Sequence, residues 1–407
     1  MNAVQFINAR LAASDPLQTL WVEEGRFVAP PARADSRYSI VDLQGKLVLP
    51  GLVETHLHLD KACILSRCEL HKGTLGEAIE QTRLAKATFS EEDVYQRGAK
   101  VLEQAILQGT SWIRTHVEID PQIGLTGFNA IKRLKEDYAW AVDLRLCVFP
   151  QEGLLNNPGT EELLEQALAS GADLLGGCPY TDSDPRGQID RLFAMADRWQ
   201  VDLDFHLDFD LQADSSMMEY VMAATERWQM AGRVTLGHAT RLSALAEHQL
   251  LAIAKRLAKA GVQITALPST DLFLNGRDQF QLKPRGVAPL ATLDSCGVTC
   301  SLSSNNIGNP FTPYGDASLV RQANLFANVS QLATSAEMLR CLAWISSESA
   351  KMMRLSDYGL TPGCQADFVV FESQQACEVV REIALPVRGF KRGRQTFSRP
   401  AAQLFKD

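Results

Sequence analysis

The chain has 407 residues, of which 46% are hydrophobic, and its 40 basic and 48 acidic residues give a net charge of −8. This acidic balance argues against binding along a nucleic-acid backbone, and no apolar run approaches the ~18 residues of a membrane span. The nine cysteines form no CxxC pair and the chain begins without a secretory signal, so we expect reduced thiols, no membrane association and a cytoplasmic location.

Both ends of the chain alternate apolar and polar residues in the manner of antiparallel strands separated by turns. The pattern covers residues 1–49 at the start and 356–407 at the end. We predict that the two ends combine into one small β-sandwich domain. This domain would flank a larger domain formed by residues 50–355.

The central part repeats a short apolar run followed by a segment of helical periodicity. Eight runs predict strands, at 51–58, 111–118, 143–152, 174–180, 202–208, 233–240, 262–270 and 298–306. After a first gap of 60 residues that fits two helices, their starts are 28 to 36 residues apart, which suits one βα unit each. The arrangement predicts an α/β fold, a (β/α)8 TIM barrel. An open doubly wound sheet is the rival, but no glycine-rich phosphate loop follows the first strand.

Five of the seven histidines fall at the carboxyl ends of predicted strands, where a barrel holds its active site. His56 and His58 are two residues apart and face the barrel interior, although a hydrogen-bonded pair of core histidines would show the same spacing. His206 adds a third imidazole. Three neutral nitrogens suit Zn²⁺, Fe²⁺ or Mn²⁺ and leave positions for water, whose pKa the metal would lower. His238 could polarise a substrate carbonyl, move a proton or support a ligand.

Several segments together resemble the amidohydrolase superfamily: LPGLVETHLHLDK, RTHVE, VFPQEG, GHAT, NGR and NPFTPYG, in this order. The branch they resemble contains bacterial cytosine deaminase and the N-isopropylammelide hydrolases. The resemblance implies a single divalent metal ion, usually iron or zinc, held by His56, His58 and His206. It also implies that His238 contacts the hydrolytic water or the tetrahedral intermediate, and that Gln151 binds the amide-like edge of a heterocycle.

Two positions depart from that pattern. Phe209 stands where cytosine deaminase has a proton-shuttling glutamate, and Asn305 stands where the superfamily has an aspartate that binds the metal and takes a proton. An asparagine oxygen can ligate a metal weakly, so Asn305 stays a candidate ligand, but it is not a base near pH 7. Asp208 and Asp271 are candidates to replace the missing acid–base groups, although Asp271 would also suit a helix cap or a loop.

Four side chains of the same rim are candidates for other roles. We expect His116 to line the pocket or to support a ligand, and Phe209 and Phe311 to form apolar walls against a flat ring unless they only pack the loops. Lys61 is expected to pair with a rim carboxylate.

The sequence therefore predicts a metal-dependent amidohydrolase that cleaves a C–N bond of a small nitrogen heterocycle or cyclic amide, by deamination or by ring or amide hydrolysis. Cytosine itself is not favoured, because the deaminase glutamate is absent. The alternative is a catalytically degenerate amidohydrolase that binds a small ligand with weak or no turnover, since losing two acid–base groups could remove about 10⁴–10⁸ in rate. Exposed barrel helices would permit homo-oligomers.

Overall fold

The computed structural model describes residues 3–11, 16–33, 36–212 and 216–405, and these ranges contain sixteen strands. Five short strands precede a set of eight parallel strands, and three more follow it. In chain order they are β1 (Ala3–Ala9), β2 (Gln18–Glu23), β3 (Arg26–Val28), β4 (Tyr38–Asp42), β5 (Leu47–Pro50), β6 (Leu52–Leu57), β7 (Thr110–Glu118), β8 (Asp143–Phe149), β9 (Leu174–Gly177), β10 (Asp202–Leu207), β11 (Val234–His238), β12 (Val262–Ala266), β13 (Cys300–Leu302), β14 (Phe368–Phe371), β15 (Pro386–Lys391) and β16 (Arg394–Ser398).

Strands β6 to β13 form a closed barrel. Each strand pairs in parallel with the next along the chain. The first and last strands meet through the backbone just beyond them, where His58 N donates to Asn305 O and Asn305 N donates to His56 O, both at 2.8 Å. Every residue of β6, β11 and β12 is buried, as expected of strands covered by helices on one face and barrel side chains on the other. The predicted (β/α)8 barrel is confirmed, and the open sheet was wrong.

Thirteen α-helices lie in the described ranges, and most of them connect successive barrel strands. They are α1 (Leu75–Lys86), α2 (Glu91–Leu107), α3 (Thr126–Asp137), α4 (Thr160–Ala169), α5 (Pro185–Trp199), α6 (Met218–Arg227), α7 (Glu247–Ala260), α8 (Pro268–Leu274), α9 (Leu290–Ser295), α10 (Leu319–Ser330), α11 (Ser335–Ala343), α12 (Ser347–Met352) and α13 (Ala376–Arg381). The 60-residue gap holds α1 and α2, which begin after the hydroxyl caps Thr74 and Ser90. Among the helices of the described residues, none combines the length and apolar character needed to span a membrane.

Strands from both ends of the chain form two four-stranded sheets. Their orders are β3-β2-β1-β4 and β16-β15-β14-β5, so β5 from the N-terminal part pairs antiparallel with β14 from the C-terminal part. In the core that the sheets share, the ring of Phe6 packs edge-on against Phe368 and Phe390, with centroid distances of 4.9 and 5.0 Å. The predicted β-sandwich from both termini is confirmed. Its boundaries at residues 49 and 356 stay a prediction.

A buried lysine holds the sandwich against the barrel. Lys391 Nζ lies 2.6 Å from the Asp367 carboxylate beside β14 and 2.7 Å from the Asp143 carboxylate at the start of β8, and it donates to Ser111 O at 3.0 Å. Because Asp143 and Ser111 lie at the amino ends of their strands, the sandwich contacts the end of the barrel opposite to the strand-end histidines. No disulfide bond joins the nine cysteines, all of which lie in the described ranges.

Candidate active site

The carboxyl ends of the barrel strands surround a small cavity whose empty space, including the part open to solvent, is about 280 Å³. Seven of the eleven residues predicted for the site line it, namely His58, Gln151, His206, Phe209, His238, Asn305 and Phe311. A larger open groove, of about 1050 Å³, lies beside Lys391 at the other end of the barrel. We place the candidate site in the smaller cavity, because the titratable and metal-ligating side chains converge there.

Three imidazoles, called here the imidazole cluster, meet beside this cavity, which His58 and His206 line directly. His56 and His58 come from the end of β6, and His206 comes from β10 across the barrel. Nε2 of His206 lies 3.1 Å from Nε2 of His56 and 3.1 Å from Nε2 of His58. All three rings are buried, and burial, reinforced by the repulsion that a protonated ring would meet from the neighbouring histidines and, for His58 and His206, from Lys61, lowers the pKa of each well below its usual value. The cluster is therefore neutral near pH 7.

The donor set of the imidazole cluster fits a divalent metal ion. Two nitrogens that bind one zinc ion at tetrahedral angles lie about 3.3 Å apart, close to the 3.1 Å observed here. Asn305 Oδ1 belongs to the same cavity wall, is buried and has no hydrogen-bond partner among the described residues. Buried acceptors without donors are rare in folded proteins, and a cation satisfies them. The predicted ligands His56, His58 and His206 are thus brought together, and Asn305 lines the same cavity as His58 and His206.

His238 and Asp271 form a hydrogen-bonded pair beside the cluster. His238 ends β11 with a left-handed φ of 71°, and its Nδ1 lies 2.6 Å from Asp271 Oδ1. Asp271 is fully buried in the first turn of α8, where its Oδ2 accepts from Leu267 N at 3.1 Å. Burial raises the pKa of Asp271, while the nearby His238 lowers it. Because the carboxylate accepts from Nδ1, Nε2 of His238 is the nitrogen left to accept a proton.

Asp208 does not reach the cavity, contrary to the expectation that it shares the face of His206. Its φ of 50° turns the chain out of strand geometry directly after β10. The carboxylate instead accepts hydrogen bonds from Ser216 Oγ and from Met217 N, the latter at 3.3 Å, just before α6. Asp208 therefore holds this loop, and of the two candidate carboxylates only Asp271 joins the site.

His116 lies behind the imidazole cluster and does not line the cavity, so its position does not support the expected substrate contact. Its ring stacks on that of His56 with a centroid distance of 3.8 Å, and its Nε2 lies 3.4 Å from Asp204, which pairs with Arg114 at 2.8 Å. Nitrogens of His116 and of the two β6 histidines lie within 4.8 Å of one another, which is an alternative ligand set. We favour His206, because its contacts are shorter and it lines the cavity.

The remaining predicted residues form the walls of the cavity. Gln151 Nε2 donates to Cys178 Sγ at 3.4 Å. The ring of Phe209 stands edge-on to His238 with a centroid distance of 4.9 Å, and it belongs to an apolar cluster with Phe311 and Leu274. The cavity thus has one polar and one apolar wall, an arrangement that suits a flat ring with polar edges.

A chain of buried ion pairs, called here the rim network, runs along one side of the cavity. Lys61 Nζ lies 2.6 Å from Glu118, and Lys86 Nζ lies 2.8 Å from Glu118, 2.8 Å from Asp120 and 2.7 Å from Glu152. Burial alone would raise the pKa of Glu118, but the two ammonium groups outweigh it and lower the pKa to about 2. The expected pairing of Lys61 with a rim carboxylate is confirmed.

Sequence reasoning missed several residues of this region. Leu75, Tyr180 and Thr270 line the cavity, and Lys86 holds the rim network together. Leu75 begins α1, where no strand pattern marks it. Tyr180 and Thr270 are the last residues of two predicted strands, so their positions carried a usable signal.

The sequence model of the amidohydrolase family matches residues 104–397, and the chain belongs to this family. It is 28% identical over 360 residues to pterin deaminase from Rhizobium rhizogenes, an alignment that covers 86% of this chain and 80% of that protein. The predicted superfamily is therefore confirmed, and with it the predicted class of enzyme, a hydrolase that acts on C–N bonds other than peptide bonds.

Two solved structures share the whole architecture. The crystal structure of 5-methylcytosine deaminase from Klebsiella pneumoniae liganded with 5-fluorocytosine matches with a TM-score of 0.93 at 27% identity, covering 99% of both chains. N-isopropylammelide isopropylaminohydrolase from Burkholderia multivorans matches with a TM-score of 0.85 at 29% identity, covering 97% of this chain and 98% of the other. Both lie in the branch that the sequence motifs resemble.

Proposed function

We propose that the protein hydrolyses a C–N bond of a small nitrogen heterocycle or cyclic amide and depends on one divalent metal ion. The observation that carries this proposal is the convergence of His56, His58 and His206, with two nitrogen–nitrogen distances of 3.1 Å, beside the His238–Asp271 pair. A metal-binding face and a proton-transfer pair on one small cavity are the parts that hydrolysis of an amide-like bond requires.

The imidazole cluster would hold the metal ion, with Asn305 Oδ1 as an additional weak ligand. When bound, a divalent ion supplies Lewis acidity, which makes water a nucleophile near neutral pH. Zinc and iron are the favoured identities and manganese is the third candidate, because imidazole nitrogen suits zinc and iron well. The proton transfers and the binding of the ring fall to side chains of the chain itself.

The His238–Asp271 pair would move the protons. Nε2 of His238 takes a proton from the attacking water and returns it to the leaving nitrogen, and Asp271 holds the ring in the required tautomer and stabilises the imidazolium that forms. A positioned acid–base group of this kind contributes about 10²–10⁴ in rate. The pair thereby compensates for the carboxylates that the chain lacks at Phe209 and Asn305.

The walls of the cavity favour a single flat ring as substrate. Phe209 and Phe311 offer apolar contact, and the Gln151 carboxamide offers both a donor and an acceptor to an amide-like edge. The relatives support this class, since their names refer to pterin, 5-methylcytosine and N-isopropylammelide. A phenyl ring at position 209 transfers no proton, so we expect another ring to be a better substrate than cytosine.

Turnover tests the proposal. Protein loaded with Zn²⁺, Fe²⁺ or Mn²⁺ is given a panel of pyrimidines, triazines, pterins and lactams, and the release of ammonia or amine, or the opening of a lactam, is measured. We expect at least one ring to be hydrolysed, with activity lost on chelation and restored by added metal. No turnover by protein that carries about one metal equivalent would contradict the proposal and would fit a degenerate, ligand-binding amidohydrolase.

A further inference from the structure

A buried carboxylate lies deeper in the barrel than the imidazole cluster, and neither the proposed metal site nor the proposed proton transfers use it. Asp204 belongs to β10, two residues before His206, and its side chain is fully buried. Its Oδ2 lies 2.8 Å from the guanidinium group of Arg114 and 3.4 Å from Nε2 of His116, and its Oδ1 lies 3.8 Å from Nδ1 of His56. This carboxylate therefore faces two imidazole rings at once.

Arg114 holds the Asp204 carboxylate in place. Arg114 is 2% exposed, and while one of its terminal nitrogens pairs with Asp204, its Nε donates to the carbonyl oxygen of Thr55 at 2.7 Å. Thr55 directly precedes His56 in β6, so the ion pair connects the deep part of β10 to the strand that carries His56. Because solvent barely reaches these groups, their attraction is poorly screened.

The two ring nitrogens of His56 have different surroundings. Nε2 lies 3.1 Å from Nε2 of His206, where the metal ion is proposed to bind, and Nδ1 faces Asp204. A neutral imidazole has one N–H donor and one bare nitrogen, and only a bare nitrogen can ligate a metal ion. His56 Nδ1 is buried and makes no hydrogen bond within the described part of the chain, and buried polar atoms are rarely left unmatched. An N–H donor at Nδ1, directed at the acceptor oxygens of Asp204, matches both groups.

We propose that Asp204 is a positioning residue that sets the tautomer of His56: the carboxylate holds the ring proton on Nδ1 and leaves Nε2 bare toward the metal ion. The inference rests on the proposed function for the place of the metal ion, but the tautomer is equally a property of the metal-free protein. A relative displacement of about 1 Å brings Nδ1 and Oδ1 within hydrogen-bond distance. The ring of His116, stacked on that of His56 with a centroid distance of 3.8 Å, restrains the same imidazole from turning.

Asp204→Asn reverses the polarity of this contact with little change in size. With its carboxamide oxygen on Arg114, the asparagine presents its NH₂ group to His56 Nδ1, and the ring proton then moves to Nε2, the nitrogen that should be bare. Zinc affinity, measured by competition with a chromophoric chelator, should fall by about 10–100-fold. Asp367→Asn is the matched control, because it removes another buried carboxylate, which lies 2.6 Å from Lys391 at the other end of the barrel. It should change zinc affinity by less than about threefold.

NMR spectra of the histidine ring nitrogens report the tautomer and separate this role from a merely structural one. In the chelator-treated parent protein, His56 should be protonated on Nδ1, and its signals are assigned by their loss in His56→Gln. In Asp204→Asn the proton should be found on Nε2 of His56. The tautomers of His58 and His206, which Asp204 does not face through Nδ1, should stay as they are in the parent protein and serve as internal controls.

A parent protein in which His56 is protonated on Nε2 would overturn the inference, and this measurement does not depend on whether any variant folds. A His56 tautomer or a zinc affinity that Asp204→Asn leaves unchanged would each overturn it too. So would a change confined to the signals of His116, since Asp204 would then orient His116 alone. Because the tautomer is read in metal-free protein, the inference can fail while hydrolysis stands, and it can hold in a protein that turns nothing over.

Discussion

The imidazole cluster and the rim network lie at the same end of the barrel and bury their polar groups in opposite ways. In the rim network the ammonium groups of Lys61 and Lys86 have carboxylate partners within 2.6–2.8 Å. In the imidazole cluster three neutral rings converge on one another, and Asn305 Oδ1 beside them has no hydrogen-bond partner among the described residues. Matched charges fix side chains in position, whereas converging unmatched acceptors are arranged for a ligand.

The His238–Asp271 pair shares one property with the rim network and one with the imidazole cluster. Its imidazole is paired with a carboxylate, as the ammonium groups of the rim network are, yet Nε2 of His238 makes no hydrogen bond to the part of the chain that the structure describes, so it is available to react. The comparison therefore supports the proposal that the cluster binds a metal ion and that the pair transfers protons, while the network holds Lys61 in place. Each of these proposals can be tested with a different variant.

The largest effect is expected from the cluster. His206→Ala removes the nitrogen that lies 3.1 Å from both other ligands, so metal content after loading should fall from about one equivalent to below about 0.1, and activity should fall by about 10³-fold or more. Metal analysis by mass spectrometry measures this. His248→Ala, at an exposed histidine of α7, is the control. Metal retention by His206→Ala with loss in His116→Ala would show that His116 is the third ligand.

The second effect separates the two candidate aspartates. Asp271→Asn should lower kcat by about 10²–10⁴ with metal content unchanged, because His238 loses the acceptor that sets its tautomer. Asp208→Asn is the matched control, since its carboxylate only holds the loop before α6. It should change kcat by less than about threefold while lowering the free energy of unfolding by about 1 kcal/mol. Equal losses of kcat would contradict the separation.

A smaller effect, on zinc affinity, is expected at Asn305, where the superfamily has a charged aspartate. Asn305→Asp adds a carboxylate beside the three imidazoles and should tighten zinc binding by about tenfold, or about 1.4 kcal/mol, measured by competition with a chromophoric chelator. Asn306→Asp is the control, because Asn306 Oδ1 already accepts from Asn309 Nδ2 at 2.7 Å. If both variants bind zinc like the parent, the proposal that Asn305 contacts the metal is wrong.

The smallest effect concerns the acid stability of the chelator-treated protein. The cluster imidazoles have pKa values lowered well below the unfolded value, so the unfolded chain takes up protons first and stability falls as the pH drops below about 6.5. Burial raises the pKa of Glu54 to about 7, which acts in the opposite sense and offsets part of this loss. We expect a net loss of about 1 kcal/mol between pH 7 and pH 6 in urea titrations.

The rim network should behave differently in the same titrations. The pKa of Glu118 is lowered to about 2, so its contribution is fully present above about pH 4.5 and is lost only as the pH falls toward 2. Glu118→Gln should therefore reduce the free energy of unfolding at pH 7 and remove this carboxylate's loss of stability between about pH 4.5 and pH 2. An unchanged loss of stability in that acidic interval would contradict the prediction.

Much of the site could be predicted from the sequence because strand ends can be recognised. His56, His58, His206 and His238 each end a run of apolar residues, and in a barrel all such ends meet on one face. The same reasoning predicted the terminal sandwich, since period-two alternation appears at both ends of the chain. These features depend only on local periodicity and on the topology that follows from it.

The rest of the site depends on three-dimensional geometry that local sequence patterns do not encode. Asp208 has the spacing of a residue on the face of His206, but its left-handed φ turns it toward α6. His116 ends a strand like the other histidines, yet its depth in the barrel depends on the stagger between neighbouring strands. Lys86 meets Glu152 across 66 positions of sequence, a contact that only the folded barrel creates.

Anomalous diffraction from crystals of zinc-loaded protein tests the central claim most directly. The account predicts one strong peak within about 2.0–2.2 Å of Nε2 of His56, His58 and His206, with Asn305 Oδ1 facing it. A peak among Glu118, Asp120 and Glu152, whose oxygens lie within 4.8 Å of one another around the Lys86 ammonium group, would contradict it. So would a fully loaded crystal with no peak at the imidazole cluster.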